Sequence, residues 1–264
     1  VELRQLLIST QSMLKCNIIC LLLCVLMSYA VFAQQDSTQD ATHKFGYRDV
    51  VLPSALFAVG LAKVTDYDFI RINNRLRNFV SDRWNTKHAT TIDDKLQYFP
   101  MAMVYALNLC QYRGQHEFFS RSIILLGSAT LTTLTVRIMK NNIREKRPDV
   151  RAFNSFPSGH SATAFMGAEF MWQEYKEKNK LVALSGYALA TSVAMLRIYN
   201  NRHWFSDVCM GAGIGIFYTK LAYMIYPMAK KLFIHGEKDI LVMPFYVQND
   251  FGASTTGVTI SLTI

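Results

Sequence analysis

Residues 140–148 read K-N-N-I-R-E-K-R-P, residues 157–160 read P-S-G-H, and residues 197–207 read R-I-Y-N-N-R-H-W-F-S-D. Each polar cluster stands at the edge of an apolar run, and together they set where those runs begin and end. Lys140 follows the run 122–139, Ser158 and Gly159 precede 161–175, Arg197 lies in the last turn of 181–199, and Asp207 lies at the start of 205–226. Apolar runs entered through Ser, Gly or Pro and left through a cation carry the start and stop signals of helices. Two more apolar runs, 51–64 and 98–112, complete a set of six. The expected fold class is all-α.

The residue types in the three clusters point to one chemistry. Lys140 and Arg147 are seven apart. They share a helical face if the third helix continues to Pro148, which then ends it. Arg197 comes from the end of the fifth helix. Arginine's planar fork binds two oxygens at once and lysine adds a point charge, a pairing suited to phosphate. Ser158 suits an N-cap, and free N–H groups at a helix start bind anions. Gly159 lets the backbone approach a ligand closely. His160 follows, placed to give a proton to a leaving oxygen. His203 and Asp207 are four apart, so their side chains can meet. A carboxylate on one imidazole nitrogen fixes the tautomer and frees the other to attack. The set reads as a metal-free, cofactor-free phosphoryl-transfer site, in which positioning and charge stabilisation do most of the catalysis. His203 is the expected nucleophile, Asp207 its orienting carboxylate and His160 the acid. Lys140, Arg147, Ser158, Gly159 and Arg197 are the expected phosphate ligands.

The clusters resemble the three signatures of the phosphatidic acid phosphatase type 2 / vanadium haloperoxidase superfamily, K-x6-R-P, P-S-G-H and S-R-x5-H-x3-D. Leu196 stands where the third signature has Ser. The resemblance covers residues 51–226. It implies a six-helix bundle, a phosphohistidine on His203, leaving-group protonation by His160, phosphate binding by the five residues above, and no metal requirement.

The surrounding chain narrows the setting. Of 264 residues, 51% are hydrophobic and the net charge is +9, which excludes a disordered chain and suits an anionic substrate or membrane. No nucleic-acid motif accompanies the charge, and no obligate protein partner is evident. Cys16, Cys20, Cys24, Cys110 and Cys209 form no C-x-x-C pair and read as buried free thiols. Residues 1–33 read as an upstream extension followed from Met13 by a signal peptide or anchor. Residues 34–50 read as a polar linker, 51–232 as the helical bundle and 233–264 as a tail. In the tail, Val258, Ile260, Leu262 and Ile264 alternate with polar residues after an Asn249–Gly252 turn, the pattern of a short β-hairpin. Residues 66–85 form an amphipathic, arginine-rich helix, on the core or on a membrane surface. The Gly211-Ala-Gly213-Ile-Gly215 series is expected to serve close helix packing.

Cations at Arg113, Arg121, Lys176, Lys178, Lys180, Lys230 and Lys231 fall in connections opposite the clusters. By the positive-inside rule the clusters then face outward from a bacterial inner membrane, toward the periplasm. A cleaved signal conflicts with six spans, so a bundle that sits on the membrane without fully spanning it stands beside the spanning one. The expected substrate is a lipid phosphate: phosphatidate, phosphatidylglycerol phosphate, undecaprenyl diphosphate or lipid A. An exported acid phosphatase for soluble phosphomonoesters and a non-catalytic phosphate-binding envelope protein are the alternatives.

Overall fold

Each of the six apolar runs lies on a helix. The computed structural model describes residues 46–65, 67–83, 90–149, 152–234, 240–248 and 254–262. Among them the helices are α1 (Tyr47–Thr65), α2 (Tyr67–Arg83), α3 (Ile92–Leu96), α4 (Phe99–Leu109), α5 (Phe118–Asn142), α6 (Gly159–Tyr175), α7 (Lys180–Tyr199) and α8 (Phe205–Ile234). The apolar runs fall on α1 and α4–α8. The arginine-rich stretch is α2, and α3 is a single turn with no apolar run behind it. The leader and the polar linker up to residue 45 lie outside the described residues, as do Cys16, Cys20 and Cys24.

Two compact units divide the chain, one ending at Tyr223 and one starting at Met224. In the first, α6 is the axis: Ala164, Ala168, Phe170, Met171 and Tyr175 are fully buried, and α4, α5 and α7 pack around it. Small residues let α8 join closely. A Cβ on Gly211 would overlap the Ser158 carbonyl, and one on Gly215 would overlap the Ala162 carbonyl. On the other side of α8, a Cβ on Gly213 would lie 2.9 Å from the Phe57 ring of α1. The glycine series therefore serves helix packing on two sides at once. The carboxylate buried at the end of α6 is paired, as its desolvation cost requires. Glu174 takes His116 Nδ1 at 2.9 Å, Arg121 Nε at 3.2 Å and Tyr223 Oη at 2.7 Å. Cys209 is buried, but Cys110 is exposed; it follows the end of α4 and does not join the core expected for it.

Among the described residues, three helices are long and apolar enough to cross a membrane: Phe118–Asn142, Lys180–Tyr199 and Phe205–Lys230. The first two turn large apolar side chains outward, including Ile123, Leu126 and Leu134 of α5 and Leu181, Leu184 and Met195 of α7.

The helix expected to carry Lys140 through to Pro148 stops early. α5 ends at Asn142, and Ile143 is extended, with φ −109° and ψ 97°. Asn141 and Asn142 are weak helix formers, and Ile143 drops its side chain into the core with Met139 and Phe156. Arg147 is thus held by a loop, not on a helical face shared with Lys140.

In the second unit, β1 (Ile240–Gln248) and β2 (Ser254–Leu262) pair antiparallel, Ile240 opposite Leu262 and Gln248 opposite Ser254. The stretch 249–253 between them lies outside the described residues.

Candidate active site

The end of α5, the start of α6, the end of α7 and the start of α8 supply the three clusters. Lys140, in the last turn of α5, donates from Nζ to the Asn154 carbonyl at 2.7 Å. The chain after α5 is cross-tied: Arg147 N donates to Ala152 O at 2.9 Å and Ser155 N to Glu145 O at 3.0 Å. These ties replace the helical turns expected there. Lys140, Arg147 and Arg197 come close enough to feel one another's charge. Burial, and after it the charge of Arg197, pushes Arg147 below its ordinary value. The Nε atoms of Arg147 and Arg197 are buried with no hydrogen-bond partner. Orphaned buried donors are costly and rare, and two of them beside a third cation ask for acceptor oxygens of an anion.

Ser158 caps α6 with extended backbone, and its Oγ accepts from Ser161 N at 3.4 Å and from Ser161 Oγ at 3.0 Å. Two acceptances leave its own hydroxyl proton to donate. Its N–H is already engaged, donating to Asp207 O at 2.9 Å. It is therefore not among the N–H groups free for an anion; those of Gly159 and His160 have no acceptor among the described residues. A Cβ on Gly159 would meet only Val136, at 3.8 Å. Nothing in the protein itself demands glycine there, so the space suits an approaching ligand.

His203, between α7 and α8, is buried. Its Nδ1 lies 2.7 Å from the Ser155 carbonyl and 3.7 Å from Asp207 Oδ2. The expected contact with Asp207 is thus an ion-pair distance, and the hydrogen bond goes to the backbone of Ser155. A carbonyl only accepts, so Nδ1 carries the proton and Nε2 keeps its lone pair. Burial lowers His203 to about 4, against the raising influence of Asp207, so the ring is neutral at pH 7. Asp207 Oδ2 accepts from Ser155 Oγ and from Trp204 N, the latter at 3.0 Å. An acidic side chain reaching back to the N–H before its helix is half of a capping box. Ser155, fully buried, thereby touches both His203 and Asp207.

His160 Nε2 lies 2.8 Å from Asp94 Oδ1 on α3. Arg197 pairs with Asp93 of the same turn and lies 3.8 Å from Asp94. Burial first, then Arg197, lowers the His160 pKa, while Asp94 and Asp93 pull it up. Asp93, Asp94 and His160 cluster tightly enough to hold a cation, but the Arg197 guanidinium already sits against both carboxylates.

All eight expected residues line this region. Ser155, Asp93, Asp94 and Asn73 were not foreseen. Ser155 acts on His203 through a backbone carbonyl, which no side-chain pattern reveals. Asp94 lies 66 positions from its partner. Asn73 of α2 donates to Ser206 Oγ at 3.1 Å and accepts from Ser206 N at 3.3 Å, packing the amphipathic helix on the start of α8. A cavity of about 240 Å³ opens there, lined by Asn73, Asn74, Glu145, Lys146 and Trp204.

Residues 121–231 match the family model described as the PAP2 superfamily. The lipid A 1-phosphatase of Porphyromonas gingivalis is 36% identical over 138 residues, 52% of this chain and 31% of that one. A PA-phosphatase related-family protein of Dictyostelium discoideum is 30% identical over 129 residues, 39% of this chain and 48% of that one. The chain thus spans about a third to a half of the length of these relatives. The crystal structure of a transmembrane PAP2 type phosphatidylglycerolphosphate phosphatase from Bacillus subtilis superposes with a TM-score of 0.46 at 20% identity, covering 74% of this chain and all of that one.

Proposed function

We propose that the chain is a phosphatase of the PAP2 superfamily, whose model residues 121–231 match, and that it removes phosphate from a membrane lipid. His203 Nε2 attacks phosphorus, and the bond to the lipid oxygen breaks. His160 gives that oxygen its proton, leaving the phosphoryl group on His203. Water then attacks the phosphohistidine, His160 takes the proton back, and inorganic phosphate leaves. Lys140, Arg147 and Arg197, with the N–H groups of Gly159 and His160 and the hydroxyl of Ser158, neutralise the charge that spreads over the equatorial oxygens. These cations supply the role a metal plays elsewhere.

The observation that carries this reading is a pair of orphaned, buried arginine Nε atoms in the same charged cluster as a neutral, buried histidine whose Nδ1 is committed to Ser155. A lipid rather than a soluble substrate is favoured by three helices fit to cross a membrane. Among lipid head groups, the P. gingivalis relative favours lipid A. The site sits at the start of α6, while Lys178 Nζ bonds the Arg113 carbonyl beyond its other end, 3.2 Å away. Seventeen residues separate the two ends by about 25 Å. By the positive-inside rule, Arg113 and Lys178 support a cytoplasmic end opposite a site that faces the periplasm.

The test is phosphate release by the purified protein in detergent from a panel of lipid phosphates and one soluble phosphomonoester. His203→Ala is expected to lose ~10³-fold or more. A chelator should have no effect, and vanadate, shaped like the pentacoordinate transition state, should inhibit. Equal turnover by wild type and His203→Ala overturns the mechanism; preference for the soluble ester overturns the substrate class.

A further inference from the structure

The one-turn helix α3 lies outside the stretch that matches the family model, yet it reaches into the site. Five residues cannot hold a helix by themselves. This turn is pinned from α7. Asp93 is buried and pairs with Arg197. Asn200 Nδ2 donates to Thr90 O at 2.9 Å and to Asp93 Oδ1 at 3.3 Å, and Asn200 Oδ1 accepts from Thr90 N at 3.0 Å. On this anchored turn Gln97 Nε2 also ties back to Asp94 O at 2.8 Å. What the anchoring fixes in place is the Asp94 carboxylate, 2.8 Å from His160 Nε2.

We propose that Asp94 is a positioning residue for His160, forming with it a hydrogen-bonded carboxylate–imidazole pair of a kind that His203, bonded to a backbone carbonyl, does not make. The inference rests on the phosphatase reading above. With Nε2–H held by Asp94, the proton that moves is the one on Nδ1. In the first step Nδ1–H goes to the lipid oxygen as the P–O bond breaks, leaving a neutral ring still protonated at Nε2. In the second, Nδ1 takes a proton from the attacking water. Asp94 thus fixes the tautomer and stabilises the imidazolium. The charged groups acting on the ring are Asp93 and Asp94 from α3 and Arg197 from α7. Arg197 disfavours the imidazolium, and Asp94 opposes that directly. The two histidines are set to different tasks: His203 bonds a neutral carbonyl and keeps Nε2 free to attack, whereas His160 bonds a carboxylate that supports its protonated form against burial and Arg197.

The experiment compares full-length wild type, Asp94→Asn and Asp94→Glu in detergent. Asp94 is over half exposed, 56%, and Asn is isosteric, so the fold is kept. The His160 titration is followed by NMR of histidine-labelled protein, assigned with His160→Gln among the six histidines. In Asp94→Asn the His160 pKa should fall by about one unit while His203 is unmoved, and Asp94→Glu should restore most of it. Turnover should show a kcat reduced ~10–100-fold, KM changed less than threefold or so, and an alkaline limb moved to lower pH by the same unit. An unchanged His160 titration overturns the pairing. A lowered titration with unchanged kcat overturns its part in the reaction. If wild type releases no phosphate from any lipid, the phosphatase reading fails while the NMR comparison still decides the pairing.

Discussion

His203 is a buried base whose pKa falls from 6.5 to about 4, burial being the main cause. Between those values the unfolded chain binds a proton that the folded one refuses, so acid favours unfolding. The stability at stake is complete above pH 6.5 and is lost as pH falls toward 4. The full shift corresponds to about 3 kcal/mol. Unfolding midpoints measured from pH 7 to pH 4 should therefore drop less in His203→Gln, which has no ring to protonate, than in wild type. Parallel curves would refute the burial argument. At this scale the sequence announced the side chains but not all their partners. The spacing of His203 and Asp207 suggested a direct hydrogen bond, yet Ser155 stands between them, its carbonyl on one and its hydroxyl on the other. Which backbone oxygen reaches a ring depends on how a loop folds, and the composition of that loop does not encode it.

Helices were more legible than residues because their signal is repeated over many positions. Ser158 closes the start of α6 as a capping residue should. The glycines of α8 meet α6 and α1 as close packing requires. The misread element was the end of α5, where two asparagines and a buried isoleucine outweighed the apparent stop at Pro148. The one-turn α3 was illegible, since its stability comes from contacts made more than a hundred residues away, 104 for Asp93 with Arg197. Two glycines, Gly159 at the start of α6 and Gly211 of α8 packed against that start, separate packing from chemistry. Gly211→Ala puts a methyl on the Ser158 carbonyl, backbone that cannot rotate away, and should cost ~1–3 kcal/mol with a lowered Tm. Gly159→Ala has only Val136 within reach and should leave Tm unchanged while turnover falls, because its methyl occupies ligand space. A Tm loss in Gly159→Ala equal to that in Gly211→Ala would contradict the distinction.

Seen whole, the described bundle is apolar outside and polar at chosen places inside. For the window of each long helix, 78% of α8 is buried against 28% of α5 and 33% of α7, so α8 is the inner helix and the other two present their side chains outward. Those outward faces carry Ile123, Leu126, Leu134, Leu184 and Met195, exposed large apolar side chains of the kind that mark a membrane-facing surface. High salt and alkaline carbonate should leave the protein in the membrane fraction, and detergent should release it; release by salt alone would contradict a membrane-embedded bundle. One main-chain hydrogen bond has a further meaning at this scale, that of Ser158 N to Asp207 O at 2.9 Å. It fastens the threshold of α6 to the first turn of α8, like a rivet through two hinged plates. The proposed donor and the proposed nucleophile then share one mechanical datum, so a slip anywhere along the α6–α8 seam misaligns both together. Remote substitutions on that seam should slow phosphoryl capture and phosphoryl release in proportion, as one defect of alignment rather than two defects of chemistry.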